Sequence, residues 1–145
     1  KDNSADVITM WHVLEHVPDY KSQFAELKRM LKTSGTILIA IPNYKSYDAK
    51  KYAEYWAAFD VPRHLWHFSK EALKRISDDY NFELVEILPM KFDAFYVSLL
   101  SEKYKYGTMR YFPALLNGLR SNWHGKQNQE YSSHIYVLKN GKNQN

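Results

Sequence analysis

The stretch that most constrains this chain is Ala5–Pro18, A-D-V-I-T-M-W-H-V-L-E-H-V-P. An apolar, β-prone run (Val7, Ile8, Thr9, Met10) breaks off into Trp11, His12, Glu15 and His16, after which Pro18 and Asp19 open a helix. A strand that ends in chemistry-bearing side chains suits an open α/β sheet, which holds its ligands in the crevice outside the carboxyl ends of its strands. The residues that follow keep to that plan. Tyr20, Phe24, Leu27 and Leu31 form one apolar stripe at helical spacing, with Asp19 as the N-cap and Gly35 as the expected stop. Thr36–Ile41 (T-I-L-I-A-I) is almost wholly apolar, as in a strand buried on both faces of a parallel sheet. Strand, helix and strand make a βαβ unit, for which a right-handed crossover is expected.

Pro42-Asn43 ends that strand. Lys45–Phe59 is amphipathic, with Tyr52, Tyr55, Trp56 and Phe59 on one face, and suits core or lid packing better than substrate stacking. Pro62 bars regular helix through Asp60–Phe68, so a loop or extended connector is expected there. Ser69 is placed to cap a helix running to Asp79, with Leu73, Ile76 and Tyr80 inward and Asn81 as its left-handed terminator. Phe82–Leu88 reads as a strand. Phe92–Lys105 and Met109–Asn122 read as helices, Pro113 lying near the start of the second where proline is tolerated. Gly125–Tyr131 is a polar loop, Ser132–Leu138 a last strand, and Asn140–Asn145 a disordered tail.

Composition narrows the classes. The 145 residues suffice for one domain with a core, and 45% hydrophobic with 25% charged residues is ordinary for a globular chain. A net charge of +4, with Lys and Arg scattered, argues against a dedicated nucleic-acid face. The absence of cysteine excludes a disulfide framework and thiolate metal sites and fits a cytoplasmic location. No apolar run is long enough for a membrane-spanning helix.

Four motifs in order carry a resemblance. Ala5-Asp6-Val7-Ile8 with Val13-Leu14-Glu15-His16 and Asp19 resembles the fourth strand and following loop of class I S-adenosylmethionine-dependent methyltransferases. Leu31-Lys32-Thr33-Ser34-Gly35 stands where that family has L-x-P-G-G, lacking the proline and first glycine, and Ile41-Pro42-Asn43 closes the next strand. His64-Leu65-Trp66-His67-Phe68-Ser69, then Leu73 and Asn81-Phe82, follow the family's H-L-x-x-F-S-x-x-x-L and Gly-Phe pattern, asparagine also tolerating positive φ. The glycine-rich cofactor loop and the acidic residue of the second strand are absent.

The resemblance thus implies the C-terminal part of a seven-stranded Rossmann-like α/β sheet: strands four to seven, flanking helices and a helical lid insertion. Residues 1–139 would form that part, with 45–65 and 91–130 as substrate-side insertions, in a chain that begins in mid-domain. Family sheet order 3-2-1-4-5-7-6 would leave strand four with an open edge, and Val7–Met10 is expected to make the isolated segment unstable or self-associating. The implied activity is transfer of a methyl group from S-adenosylmethionine, leaving S-adenosylhomocysteine, to a small or medium acceptor at oxygen or nitrogen rather than carbon. It would reside in the intact protein, the segment alone being inactive. A homodimer is a further expectation.

By the same resemblance Met10, Trp11 and His12 would line the cofactor, although Trp11 also suits plain packing. His12 and His64 are the candidate catalytic residues, an imidazole being suited to take a proton near neutrality. Asn43, Tyr44, Arg63 and His67 are the candidate acceptor contacts. Two alternatives stand beside this: a non-catalytic domain of the same fold used for dimerisation or partner binding, and a metal-dependent hydrolase built on His12-x-x-Glu15-His16. The latter needs a helix that Pro18 and the β-prone lead-in disfavour. Some quinone-biosynthesis O-methyltransferases resemble the segment and bind a divalent metal through an acid and Glu-His. Glu15 and His16 match that set, His12 replaces the acid, and no metal is expected.

Overall fold

The computed structural model describes residues 1–141. Strand β1 (Ala5–Trp11) leads through a single 3-10 turn, Leu14–His16, into helix α1 (Tyr20–Met30) and strand β2 (Leu31–Pro42). Helix α2 (Tyr47–Tyr52), two 3-10 turns and an irregular connector precede helix α3 (Lys70–Asp79) and strand β3 (Phe82–Pro89). Helices α4 (Asp93–Tyr106) and α5 (Tyr111–Asn128) then pair as a hairpin before strand β4 (Ser133–Asn140).

The sheet order is β1-β2-β4-β3. β1 runs parallel to β2, with Val7 opposite Thr36 and Trp11 opposite Ala40, whereas β4 is antiparallel to both β2 and β3. β1, β2 and β3 therefore share one direction, and their carboxyl ends lie together with the amino end of β4. The α4–α5 hairpin leaves from the end of β3 and returns at the start of β4, which places it over that same end of the sheet.

The caps form as the sequence indicates. Asp19 accepts from the backbone N–H groups of Lys21 and Ser22, Ser69 accepts from Ala72, and Asn81 has φ 53 after α3. Gly35 is not the stop of α1: the helix ends at Leu31, which turns directly to extended backbone, and Gly35 lies within β2. α5 continues to Asn128, so residues 125–128 of the expected polar loop are helical and Gln129, with φ 61, terminates them. Gly125 is inside this helix because a Cβ there would lie 2.6 Å from the Tyr131 ring. Asn140 belongs to β4, its side chain donating to Lys32 O and accepting from Lys28; residues 142–145 of the expected tail lie outside the described residues.

The main core lies on one face of the sheet. Phe24, Leu27 and Leu31 from the α1 segment and Leu73 from α3 pack on Ile37, Ile39, Ile41, Tyr136 and Leu138. Each such side chain contributes about 1.5–3 kcal/mol by burial. The opposite face is more open than an all-apolar β2 would suggest: Leu38 is half-buried, and Val7 and Val85 are exposed. A second core joins Tyr52 and Trp56 to Ala49 and Val97, while Tyr55, expected on the same face, is exposed.

Candidate functional site

A cavity of 410 Å³ opens at the carboxyl ends of the strands. His12 from the β1 end, Pro42 from the β2 end and Ser133 from the β4 start form its floor. Ala57, Ala58 and the connector residues Asp60, Arg63 and His64 form one wall, and Asp93, Tyr96, Val97, Leu100 and Tyr104 of α4 form the other. Chain reversals put the polar groups there. His12 leaves β1 with φ 52 while its N–H still donates to Ala40 O at 2.9 Å. The connector is fastened beside it by backbone N–H groups of Leu65 and Trp66 donating to Glu15 O, and by Trp66 Nε1 donating to Val17 O at 2.8 Å.

His12 sits between two carboxylates. Its Nδ1 is 3.2 Å from Glu15 Oε1 and its Nε2 is 3.1 Å from Asp93 Oδ2. Hydrogen bonding first to Asp93 and then to Glu15 raises its pKa to about 9, against a smaller opposing effect of burial. At neutral pH His12 is an imidazolium that ties the β1 end to the first turn of α4. Both ring nitrogens then carry protons given to carboxylates, an arrangement that suits holding the two elements together rather than taking a proton.

His64 has the opposite character. Burial lowers its pKa, and its Nδ1 lies 2.8 Å from Ala58 O. A carbonyl can only accept, so in the neutral ring Nδ1 carries the hydrogen and Nε2 keeps its lone pair. His16 is arranged similarly, with Nδ1 3.0 Å from Arg63 O and its ring against His64 at a centroid distance of 4.5 Å. Ligand atoms of Glu15, His16 and His64 lie within 4.8 Å of one another, and Glu15 Oε2 is buried without a partner among the described residues. Two imidazoles and a carboxylate are donor types that a divalent cation accepts. The His12-x-x-Glu15-His16 hydrolase constellation does not form. The segment is a single 3-10 turn rather than an α-helix, and His12 faces Asp93.

The other sequence candidates divide. Arg63 reaches the cavity and pairs with Asp60 at 2.6 Å. Met10 is buried in the main core, and Trp11 is 49% exposed at the sheet edge. Asn43, Tyr44 and His67 do not line the cavity. Asn43 is fully buried, its amide donating to Glu130 and Tyr131 O and its carbonyl oxygen accepting from Lys45 N, so it braces the β2 exit. His67 Nε2 is bound to Phe59 O at 2.9 Å. Asp93 and Ser133 are cavity residues that sequence reasoning missed. Ser133 is buried with its hydroxyl unpartnered among the described residues, and Asp93 meets His12 across 81 positions of sequence.

A mixed α/β sheet with a ligand-sized cavity at the carboxyl ends of its co-directional strands matches the Rossmann-like class. The chain belongs to a methyltransferase domain family, whose model matches residues 1–87. Among solved structures it is similar to a SAM-dependent methyltransferase from Thermotoga maritima, at 25% identity and a TM-score of 0.50 over 60% of this chain and 41% of that one. A SAM-dependent methyltransferase from Archaeoglobus fulgidus shares the fold at 19% identity and a TM-score of 0.54, covering 95% of this chain and 60% of that one. Phosphoethanolamine N-methyltransferase 2 of Haemonchus contortus, solved with S-adenosyl-L-methionine, does so at 19% identity and a TM-score of 0.52, covering 98% and 34%. The chain thus spans between about a third and three fifths of these proteins' lengths. No curated protein matches the sequence.

Proposed function

We propose that the intact protein transfers a methyl group from S-adenosylmethionine to an oxygen or nitrogen of a small or medium acceptor. The observation that carries this is the 410 Å³ cavity at the strand ends of a methyltransferase-family chain, with one neutral imidazole, His64, on its wall. The sheet order β1-β2-β4-β3 supports reading the four strands as strands four to seven of a seven-stranded sheet, in the family order 4-5-7-6.

When bound, S-adenosylmethionine supplies an electrophilic sulfonium methyl group. The residues present fit one wall of a site for it. Trp11 offers an exposed aromatic face at the β1 end, and the His12 backbone turns away from the sheet there. The five glycines stand singly, at 35, 107, 118, 125 and 141, and make no glycine-rich loop, so these residues do not complete the site by themselves. In this reading Arg63 and Ser133 orient the acceptor through their cavity-facing polar groups. The apolar Ala57, Ala58, Val97 and Leu100 exclude water, and His64 Nε2 takes the proton of an acceptor hydroxyl or ammonium. His12 ties the floor at the β1 end to the α4 wall. Fixing two reactants in a dry site supplies a large share of the rate, and a positioned base adds about 10²–10⁴-fold.

The test is calorimetric titration of S-adenosylhomocysteine into the complete protein and into the 145-residue chain, with intact mass recorded on each sample. Micromolar binding is expected only for the complete protein. His64→Gln in that protein should then lower kcat by about 10²-fold or more with little change in KM. No binding by the complete protein, even at millimolar ligand, would overturn the enzyme reading. It would leave the second one, a non-catalytic domain of this fold used for dimerisation or partner binding.

A further inference from the structure

Helix α5 is turned inside out for a helix packed in water. Its buried face is small or polar: Ala114, Asn117, Gly118, Ser121 and Gly125. Its outward face carries Tyr111, Leu115, Leu119 and Trp123 at successive intervals of four, flanked by Phe112 and Leu116. Tyr111 and Phe112 are each 70% exposed, Trp123 59% and Leu119 52%. The inversion has a packing cause. Gly118 lets the Phe95 ring of α4 approach to where a Cβ would lie 2.4 Å away, and Gly125 does the same for Tyr131. Two helices can seat this closely only by turning the small residues inward, which leaves the large ones outside. Such a contiguous apolar stripe marks an interaction surface.

Charge indicates the occupant. From Lys103 to Gln129 the sequence contains no Asp or Glu, while Lys103, Lys105, Arg110, Arg120 and Lys126 give it five positive charges. Among the described residues only Arg110 pairs with an acid, Glu102. A second copy of the same face would oppose one cationic surface with another. An apolar stripe with Trp and Tyr, edged by basic side chains whose stems can lie along it, is instead the composition that rests on an anionic bilayer surface. No helix among the described residues is long and apolar enough to cross a membrane.

We infer that the outward face of α5, with the basic α4–α5 corner, docks on the surface of an anionic lipid bilayer. Tyr111, Leu115, Leu119 and Trp123 enter the headgroup boundary, and Arg120, Lys126 and Lys105 meet lipid phosphates. The inference is independent of the methyl-transfer reading.

The test is cosedimentation of the complete protein with vesicles of equal parts phosphatidylcholine and phosphatidylglycerol, against vesicles of phosphatidylcholine alone. Binding is expected to the first only and to fall with added salt. Arg120→Gln should weaken it roughly fivefold, the effect of one basic residue near an anionic surface. The double variant Leu115→Ser/Leu119→Ser should abolish it with an unchanged circular dichroism spectrum, because both side chains point away from the fold. Brominated acyl chains should quench part of the tryptophan emission, and Trp123→Phe should remove that part. Absence of sedimentation at low salt, or binding that the double serine variant leaves intact, would overturn the inference. So would a dimer that the double variant dissolves in a protein that ignores vesicles, or a Trp123 shielded from an aqueous quencher without lipid.

Discussion

His12 connects the end of β1 to the first turn of α4 through its charge. An ordinary histidine titrates near 6.5, and the carboxylates of Asp93 and Glu15 raise this one to about 9. A group whose folded pKa lies above its unfolded value stabilises fully below the unfolded pKa, and that stabilisation is lost as pH rises through the folded one. Stability should therefore decline between about pH 6.5 and 9 as the imidazolium loses its proton. Denaturant unfolding at several pH values, with an NMR titration of the His12 ring, checks this. His12→Gln should flatten the dependence and lower stability near neutrality by about 1 kcal/mol. The effect is small because the side chain is 36% exposed and solvent screens the pairs. A His12 signal titrating below 7 would contradict the assignment and reopen a base role for this residue.

At the scale of elements, α2 and α5 are held together by Asp48. This carboxylate is fully buried in the first turn of α2 and accepts from Trp56 Nε1 at 2.8 Å, Ser121 Oγ at 2.6 Å and Ser132 Oγ at 2.7 Å. One side chain thus gathers α2, the turn after it, α5 and the approach to β4. Asp48→Ala leaves three buried donors without an acceptor and should cost about 3–5 kcal/mol, where Asp78→Ala on the exposed side of α3 should change little. Gly118→Ala sets two effects against each other. Alanine gains up to about 1 kcal/mol in helix propensity, but its Cβ would lie 2.4 Å from the Phe95 ring, and overpacking costs about 1–3 kcal/mol. Net destabilisation is expected, and thermal unfolding of the three variants measures all of these effects.

Part of this architecture is legible in the amino-acid sequence alone. The caps Asp19, Ser69 and Asn81 were legible because capping is a local matter of side-chain oxygens and positive φ. So was the β1–α1–β2 unit, whose hydrophobic periods are local too. The end of α5 was not, since Gly125 reads as a breaker until Tyr131 is seen packed on it. The pairing of His12 was not legible for the same reason. Asp93, distant in sequence, supplies the charge that protonates it, and no spacing rule reveals that pair. Asn43 carried a strand-end motif, but its amide is spent on Glu130 and Tyr131 O.

On the scale of the molecule, the sheet has an unequal pair of edges. β3 ends one side with a bulge between Leu84 and Glu86, an irregularity that discourages further pairing. β1 ends the other side and, past an irregularity between Ala5 and Val7, pairs in regular register from Val7 to Trp11 only with β2 among the described residues. Val7 is 58% exposed and Trp11 49%, so this edge presents unpaired backbone together with apolar side chains. Asp6 and Lys32 are the charges beside it, and they are spent on each other at 2.8 Å. An edge of this kind is a template for another strand. The 145-residue chain by itself should therefore self-associate, and Val7→Lys, which sets a charge on the edge, should return it towards monomer. Light scattering on the chain and the variant, followed by denaturant unfolding, decides the matter. A wild-type chain that stays monomeric and unfolds in one cooperative step would show that the edge needs no partner. Association unaffected by Val7→Lys but removed by Leu115→Ser/Leu119→Ser would move the contact to α5.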